Sequence, residues 1–232
     1  MKTMNAKKIV AALLAAVLLI GVGVGGTLAW LYDFTNEVQN TFTVGNINID
    51  LQETVNGTTE SAKDNAVENN TFKIVPGTTQ SKDPKVIVAA GSEDCYVFVE
   101  IIEFNNPVND ADSSYGINGV KFINWEIAVD WIPVEGKNNV YYRMYTGDAE
   151  ATYQVLNNDR VSYSDTLTKA QLDGLQKFTE EVYENNPADG LPSLTFKAYA
   201  VQMDYSEGVD GKFSPEQAWD VANGLNPGVT TP

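Results

Sequence analysis

Residues 96–104 read YVFVEIIEF, and no other run restricts the fold as much. Val, Ile, Phe and Tyr are the side chains that a pleated strand accommodates best. Here they occupy both parities, so the strand is apolar on both faces. Such a strand belongs in the middle of a sandwich or under a covering layer. Residues 85–90 (KVIVAA) carry the same signal. Two strands of this kind need layers packed around a shared core. The chain has 232 residues, 43% of them hydrophobic, which is enough for one domain with a real core.

Further strand signals surround these two. Residues 41–51 alternate with one slip: Phe42 and Val44 hold even positions, whereas Ile47, Ile49 and Leu51 hold odd ones. Gly45-Asn46 sits at the phase change and reads as a bulge. After it, Asn48, Asp50 and Gln52 are expected on the solvent side. Pro76-Gly77 signals a type II turn. Residues 122–132, 140–145, 153–156 and 194–202 bring the expectation to about seven strands. Residues 56–70 read as a polar loop or disordered insertion, and residues 105–119 as a long surface loop. A helix is expected over residues 169–184, where Leu172, Leu175, Phe178 and Val182 recur at helical spacing. Ser214-Pro215-Glu216-Gln217 fits a capping box opening a short helix at 215–223. Residues 224–232 are expected to fray. The expected fold is mainly β: a single jelly-roll-like antiparallel β-sandwich with short peripheral helices.

Composition excludes several kinds of chemistry. The net charge is −16, which repels phosphate backbones and argues against nucleic-acid binding. Histidine is absent and there is one cysteine. Zinc hydrolysis and Ser/His/Asp or Cys/His catalysis therefore lack their residues. Glu100 and Glu103 stand three apart in one strand, so they point to opposite faces and form no catalytic pair. Glu180, Glu181 and Glu184 read as a solvated helix face. Residues 109–116 and 204–211 supply oxygens at alternate positions without EF-hand spacing. Acidic loops are the plain reading of both, and a weak calcium site is the alternative. No catalytic residue, metal ligand or cofactor is assigned. With no internal disulfide possible, Cys95 is expected to be a small buried apolar residue.

The N-terminus carries a different signal. Three lysines, Lys2, Lys7 and Lys8, precede an uncharged apolar run at residues 9–24. Thr27-Leu28-Ala29 then places small residues for a cut between Ala29 and Trp30, as in a secretory signal peptide. A retained anchor is the alternative, although the apolar run is short for a spanning helix. The stretch Gly25-Gly26-Thr27-Leu28-Ala29-Trp30, followed by Asp33, Asn40, Phe42, Gly45 and Ile47-Asn48-Ile49-Asp50-Leu51, resembles the TasA and camelysin-like family. Ile74-Val75-Pro76-Gly77 with Asp83-Pro84, residues 194–202, and Ala218-Trp219 extend that resemblance to the C-terminal end. Residues 105–190 contribute little to it. The resemblance implies a Gram-positive exported protein processed by the signal peptidase SipW, with a jelly-roll fold, forming fibres of the biofilm matrix.

Cleavage after Ala29 leaves 12 basic residues against 31 acidic ones, a net of −19. It also leaves an apolar chain end. That end is a liability on a secreted protein unless something covers it. One cover is its own sandwich. The other is a neighbouring subunit, with residues 30–44 acting as a donor strand through Trp30, Leu31, Tyr32, Phe34, Val38, Phe42 and Val44. The second choice repeats without closing and gives a filament. The expected divisions are therefore a signal peptide at 1–29, a donor segment at 30–44, a sandwich at 45–223 and a tail at 224–232. The expected function is a secreted, non-enzymatic fibre subunit at the cell surface or in the matrix. Its expected partners are further copies of itself, the signal peptidase during export and other matrix proteins, and it meets the membrane only through the precursor's signal. A monomeric surface module binding glycan, cation or protein is the alternative. The chain carries no L-P-x-T-G-like sorting signal.

Overall fold

The computed structural model describes the backbone of residues 32–34 and all of residues 46–54, 73–203 and 212–225. The protein is mainly β, with three antiparallel sheets and two α-helices among the described residues. Its strands are β1 (Tyr32–Phe34), β2 (Ile49–Gln52), β3 (Thr79–Ser81), β4 (Lys85–Val88), β5 (Cys95–Phe104) and β6 (Ile123–Asn124). They continue with β7 (Ile132–Pro133), β8 (Val140–Tyr145), β9 (Ala151–Gln154), β10 (Arg160–Tyr163) and β11 (Ser193–Gln202). Helix α1 spans Lys169–Val182 and α2 spans Pro215–Ala222. The largest sheet runs β1-β11-β5-β8-β7, and two three-stranded sheets run β2-β4-β9 and β3-β10-β6. The pairings are antiparallel throughout and consistent with a β-sandwich.

Strand β5 lies at the centre of the largest sheet, paired with β11 along all ten of its residues. Its odd residues Cys95, Val97, Val99 and Ile101 enter the main core with Ala198 and Ala200 of β11. Ile49, Val86, Val88, Ile123, Val161 and Tyr163 of the smaller sheets reach the same core. The even residues Tyr96 and Phe98 enter a second core with Val201 and with Ala218, Trp219, Val221 and Ala222 of α2. The strand that is apolar on both faces thus has a sandwich on one face and a helix on the other.

Local expectations hold at several points. Gly77 has φ +73° and Thr78 N–H bonds to Val75 O at 3.2 Å, as a type II turn at Pro76-Gly77 requires. Both expected helices are present. The Ser214/Gln217 capping box is formed, and α1 begins with a second one from Thr168 and Gln171. Cys95 is a free, fully buried thiol, pushed up to about 12 by burial and by the nearby Asp94 and Glu93 charges.

Elsewhere the structure corrects the reading. Gln52 is not on the solvent side. It is 4% exposed and gives its amide N–H to the Asp50 carboxylate at 2.7 Å. Val182 is 53% exposed, so the buried face of α1 ends at Phe178 and Thr179. Residues 122–132 are not one strand but β6, an isolated bridge from Ile127 to Leu156, a turn, and the start of β7. The strand expected at 153–156 lies at Ala151–Gln154, and β3 and β10 were not foreseen. The loop at 105–119 is not merely superficial, because Asn106, Val108, Ala111 and Ile117 are buried. Its 3-10 turn, Ser113–Tyr115, lies against α1, where Tyr115 meets Phe178 edge-on at 5.5 Å. The expected phase change at Gly45, the loop at 56–70 and most of the tail lie outside the described residues. Among the described residues, no helix is long and apolar enough to cross a membrane.

Candidate assembly edge

Strand β11 reads SLTFKAYAVQ, and its alternation gives the two edges and two faces of the site. One edge is committed to β5 over its full length. The opposite edge receives β1, with Tyr32 opposite Val201, Asp33 opposite Ala200 and Phe34 opposite Tyr199. Of the partner residues, Tyr199 and Val201 belong to the face under α2, and Ala200 belongs to the main core. Residues 32–34 of the segment expected to be a donor strand therefore lie on the outermost strand position of the largest sheet, paired with their own chain.

The surroundings of that edge are aromatic. The Trp219 ring lies 5.2 Å from Tyr199 and 5.5 Å from Phe98, both tilted or edge-on. The Tyr199 hydroxyl donates to Glu100 Oε2 at 2.9 Å. Burial, and then this bond to a carboxylate, push the Tyr199 phenol well above its ordinary range, so it stays a neutral donor. Helix α2 lies against β1, β11 and β5 together.

Of the residues expected to drive assembly, the structure brings Tyr32 and Phe34 to β11 through their backbone. Trp30, Leu31, Val38, Phe42, Val44 and the cleavage residue Ala29 lie outside the described residues. The receiving surface was not foreseen as one. Its signal was present in the alternate Tyr199 and Val201 and in Trp219, but nothing local to these residues says that they converge.

The other candidate residues separate as their spacing requires. Glu100 is engaged by Tyr199 on the α2 side. Glu103 Oε1 accepts from Asn106 Nδ2 at 2.7 Å and Trp125 Nε1 at 3.0 Å, and lies 3.4 Å from Lys121 Nζ. Glu180, Glu181 and Glu184 are exposed. In the loop at 109–116, Asp112 caps the 3-10 turn by accepting from Ser114 N–H at 2.8 Å, a bond that lowers its carboxyl below the ordinary value. No group of three or more acidic or cysteine residues among the described residues is placed to hold a metal ion. The acidic loop at 204–211 lies outside them. No protein-family model, curated protein or solved structure matches this chain.

Proposed function

We propose that this protein is a secreted structural subunit that polymerises into extracellular fibres, of the biofilm-matrix kind, by exchanging its N-terminal strand after removal of the signal peptide. The observation that carries this reading is the position of β1. It is a three-residue strand on the edge of the largest sheet, so it leaves without breaking any pairing between the other strands. The same segment of a second copy offers β11 the same backbone groups and the same side chains. An exchange that sends each chain's strand to the next is a heterologous contact, and it propagates. Before cleavage, β1 begins only three residues beyond Ala29, so the membrane-directed segment would hold the donor strand where no neighbour takes it up.

The cis pairing of β1 also supports a second reading, a self-contained monomeric surface module. Electron microscopy of residues 30–232 and 41–232 separates the two. At mildly acidic pH the charge of the −19 subunit is reduced. Filaments from the longer protein alone support strand exchange; two folded, dispersed monomers refute it.

A further inference from the structure

Glu103, next to the last residue of β5, collects three groups on one oxygen. Its Oε1 accepts from Asn106 Nδ2 at 2.7 Å and Trp125 Nε1 at 3.0 Å, and Lys121 Nζ lies 3.4 Å from the same atom. Asn106 is buried, and its carbonyl oxygen accepts from the backbone N–H groups of Phe122 and Ile123 at 2.9 and 2.8 Å. Two main-chain donors on one carbonyl oxygen polarise it and stand ready to hold a negative charge there. The chain brings these groups together by closing the 105–119 loop at its base. Val108 and Val120 form an antiparallel bridge, with Gly119 N–H bonded to Val108 O at 2.6 Å. Asn106 and Phe122 come next on the two arms, and Lys121 precedes Phe122 directly. One carboxylate oxygen thus serves both a primary amine and a buried, polarised amide.

We propose that Lys121 and Asn106 join in an intramolecular isopeptide bond, with Glu103 as the proton carrier. The amine attacks in its neutral form. The Nζ lone pair forms a bond to Asn106 Cγ, and the carbonyl π electrons move onto Oδ1, where the Phe122 and Ile123 N–H groups hold the charge. Glu103 takes one proton from Nζ. The carbonyl then re-forms, the Cγ–Nδ2 bond breaks, and Glu103 returns the proton to Nδ2, which leaves as ammonia. Atoms and electrons balance without an oxidant or a cofactor. Each chain reacts once, so a slow reaction between two well-placed groups is sufficient. The product keeps the Oδ1 bonds to both main-chain N–H groups. A chain with one cysteine has no internal disulfide to close a loop. This amide closes residues 106–121 instead and restricts the unfolded chain in the same manner. It pins the base of the loop whose Tyr115 packs on Phe178 of α1.

Mass spectrometry of the purified protein tests this. Digestion on the amino side of aspartate cuts the loop at Asp110 and Asp112 and separates Asn106 from Lys121 unless the two are bonded. The expected result is that residues 94–109 and 112–129 emerge as one branched peptide, lighter by one ammonia than the two together. Lys121→Arg keeps a cation beside Glu103 and should abolish the branch. Glu103→Gln keeps an acceptor for Asn106 but cannot carry the proton, and the branched fraction at a fixed time after synthesis should fall about a hundredfold. Both variants leave the Asn106 bonds to Phe122 and Ile123 in place, and circular dichroism verifies that they fold. Two separate peptides at full mass from the parent protein overturn the proposal. So does a loss of ammonia without branching, as from a succinimide at Asn118-Gly119. A branch that forms undiminished in folded Glu103→Gln protein overturns the role given to Glu103.

Discussion

Asn106 shows how much one side chain carries. It is 1% exposed and makes four hydrogen bonds. Its amide donates to Glu103 Oε1 and Ile123 O, and its carbonyl accepts from Phe122 and Ile123 N–H at 2.9 and 2.8 Å. Asn106→Ala leaves two buried N–H groups unpaired, and urea unfolding should show a loss of about 3 kcal/mol. Asp159 makes the opposite case. Its Oδ1 is buried without a partner, and its backbone is left-handed at φ +51°. Burial, then the Asp83 charge, raise its carboxyl, with Lys85 opposing. A raised carboxyl means that the fold disfavours the ionised form. Stability from this group is therefore fully present below the ordinary value of 3.8 and is lost as pH rises through the raised value. Asp159→Asn, which tolerates the left-handed backbone, should unfold at a higher temperature than the parent at pH 7. That advantage should vanish in melts below the ordinary aspartate value.

At the scale of elements, α1 combines what periodicity reveals with what it hides. Leu175 and Phe178 are buried as their spacing predicts. Gly174 looks like a flaw in the same helix, since Gly is about 1 kcal/mol worse than Ala there. The structure supplies its reason: a Cβ at Gly174 would collide with the Tyr115 carbonyl oxygen and lie 3.2 Å from Ile117 Cγ2. Gly174→Ala should therefore destabilise the protein by about 1–3 kcal/mol, despite the better propensity. Chemical denaturation measures the sign directly. A gain in stability would show that the 105–119 loop yields to the helix. The stretch at 122–132 failed as a strand for a related reason. Its apolar residues are satisfied one by one, with Phe122 and Ile123 held by Asn106 and Trp131 Nε1 bonded to Gln154 O at 2.7 Å, so no continuous ladder is needed.

For the whole molecule, the proposed strand exchange turns on the edge of the largest sheet. The strand that covers it in cis is the one that would cover it in trans, so the two states exchange like for like. Cis pairing benefits from an effective concentration in the millimolar range for a short tether. Assembly of residues 30–232 should accordingly depend steeply on protein concentration and strengthen as acid reduces the −19 charge. Light scattering across a concentration and pH series measures both. Turbidity that rises with pH from 5 to 8 would contradict the charge argument.

By itself, the sequence determined that the chain is mainly β, that residues 96–104 form a strand covered on both faces, where the two helices begin, and that Cys95 is buried. These follow from periodicity, capping residues and side-chain chemistry, which act within a few residues. Tertiary structure alone decided that α2 is the layer over the outer face of β5, that Gln52 is buried, that Gly174 is required, and that the edge beside Tyr199 and Val201 receives β1. Each depends on groups far apart in the chain, such as Tyr96 with Phe213 and Phe34 with Tyr199, whose meeting no local pattern records.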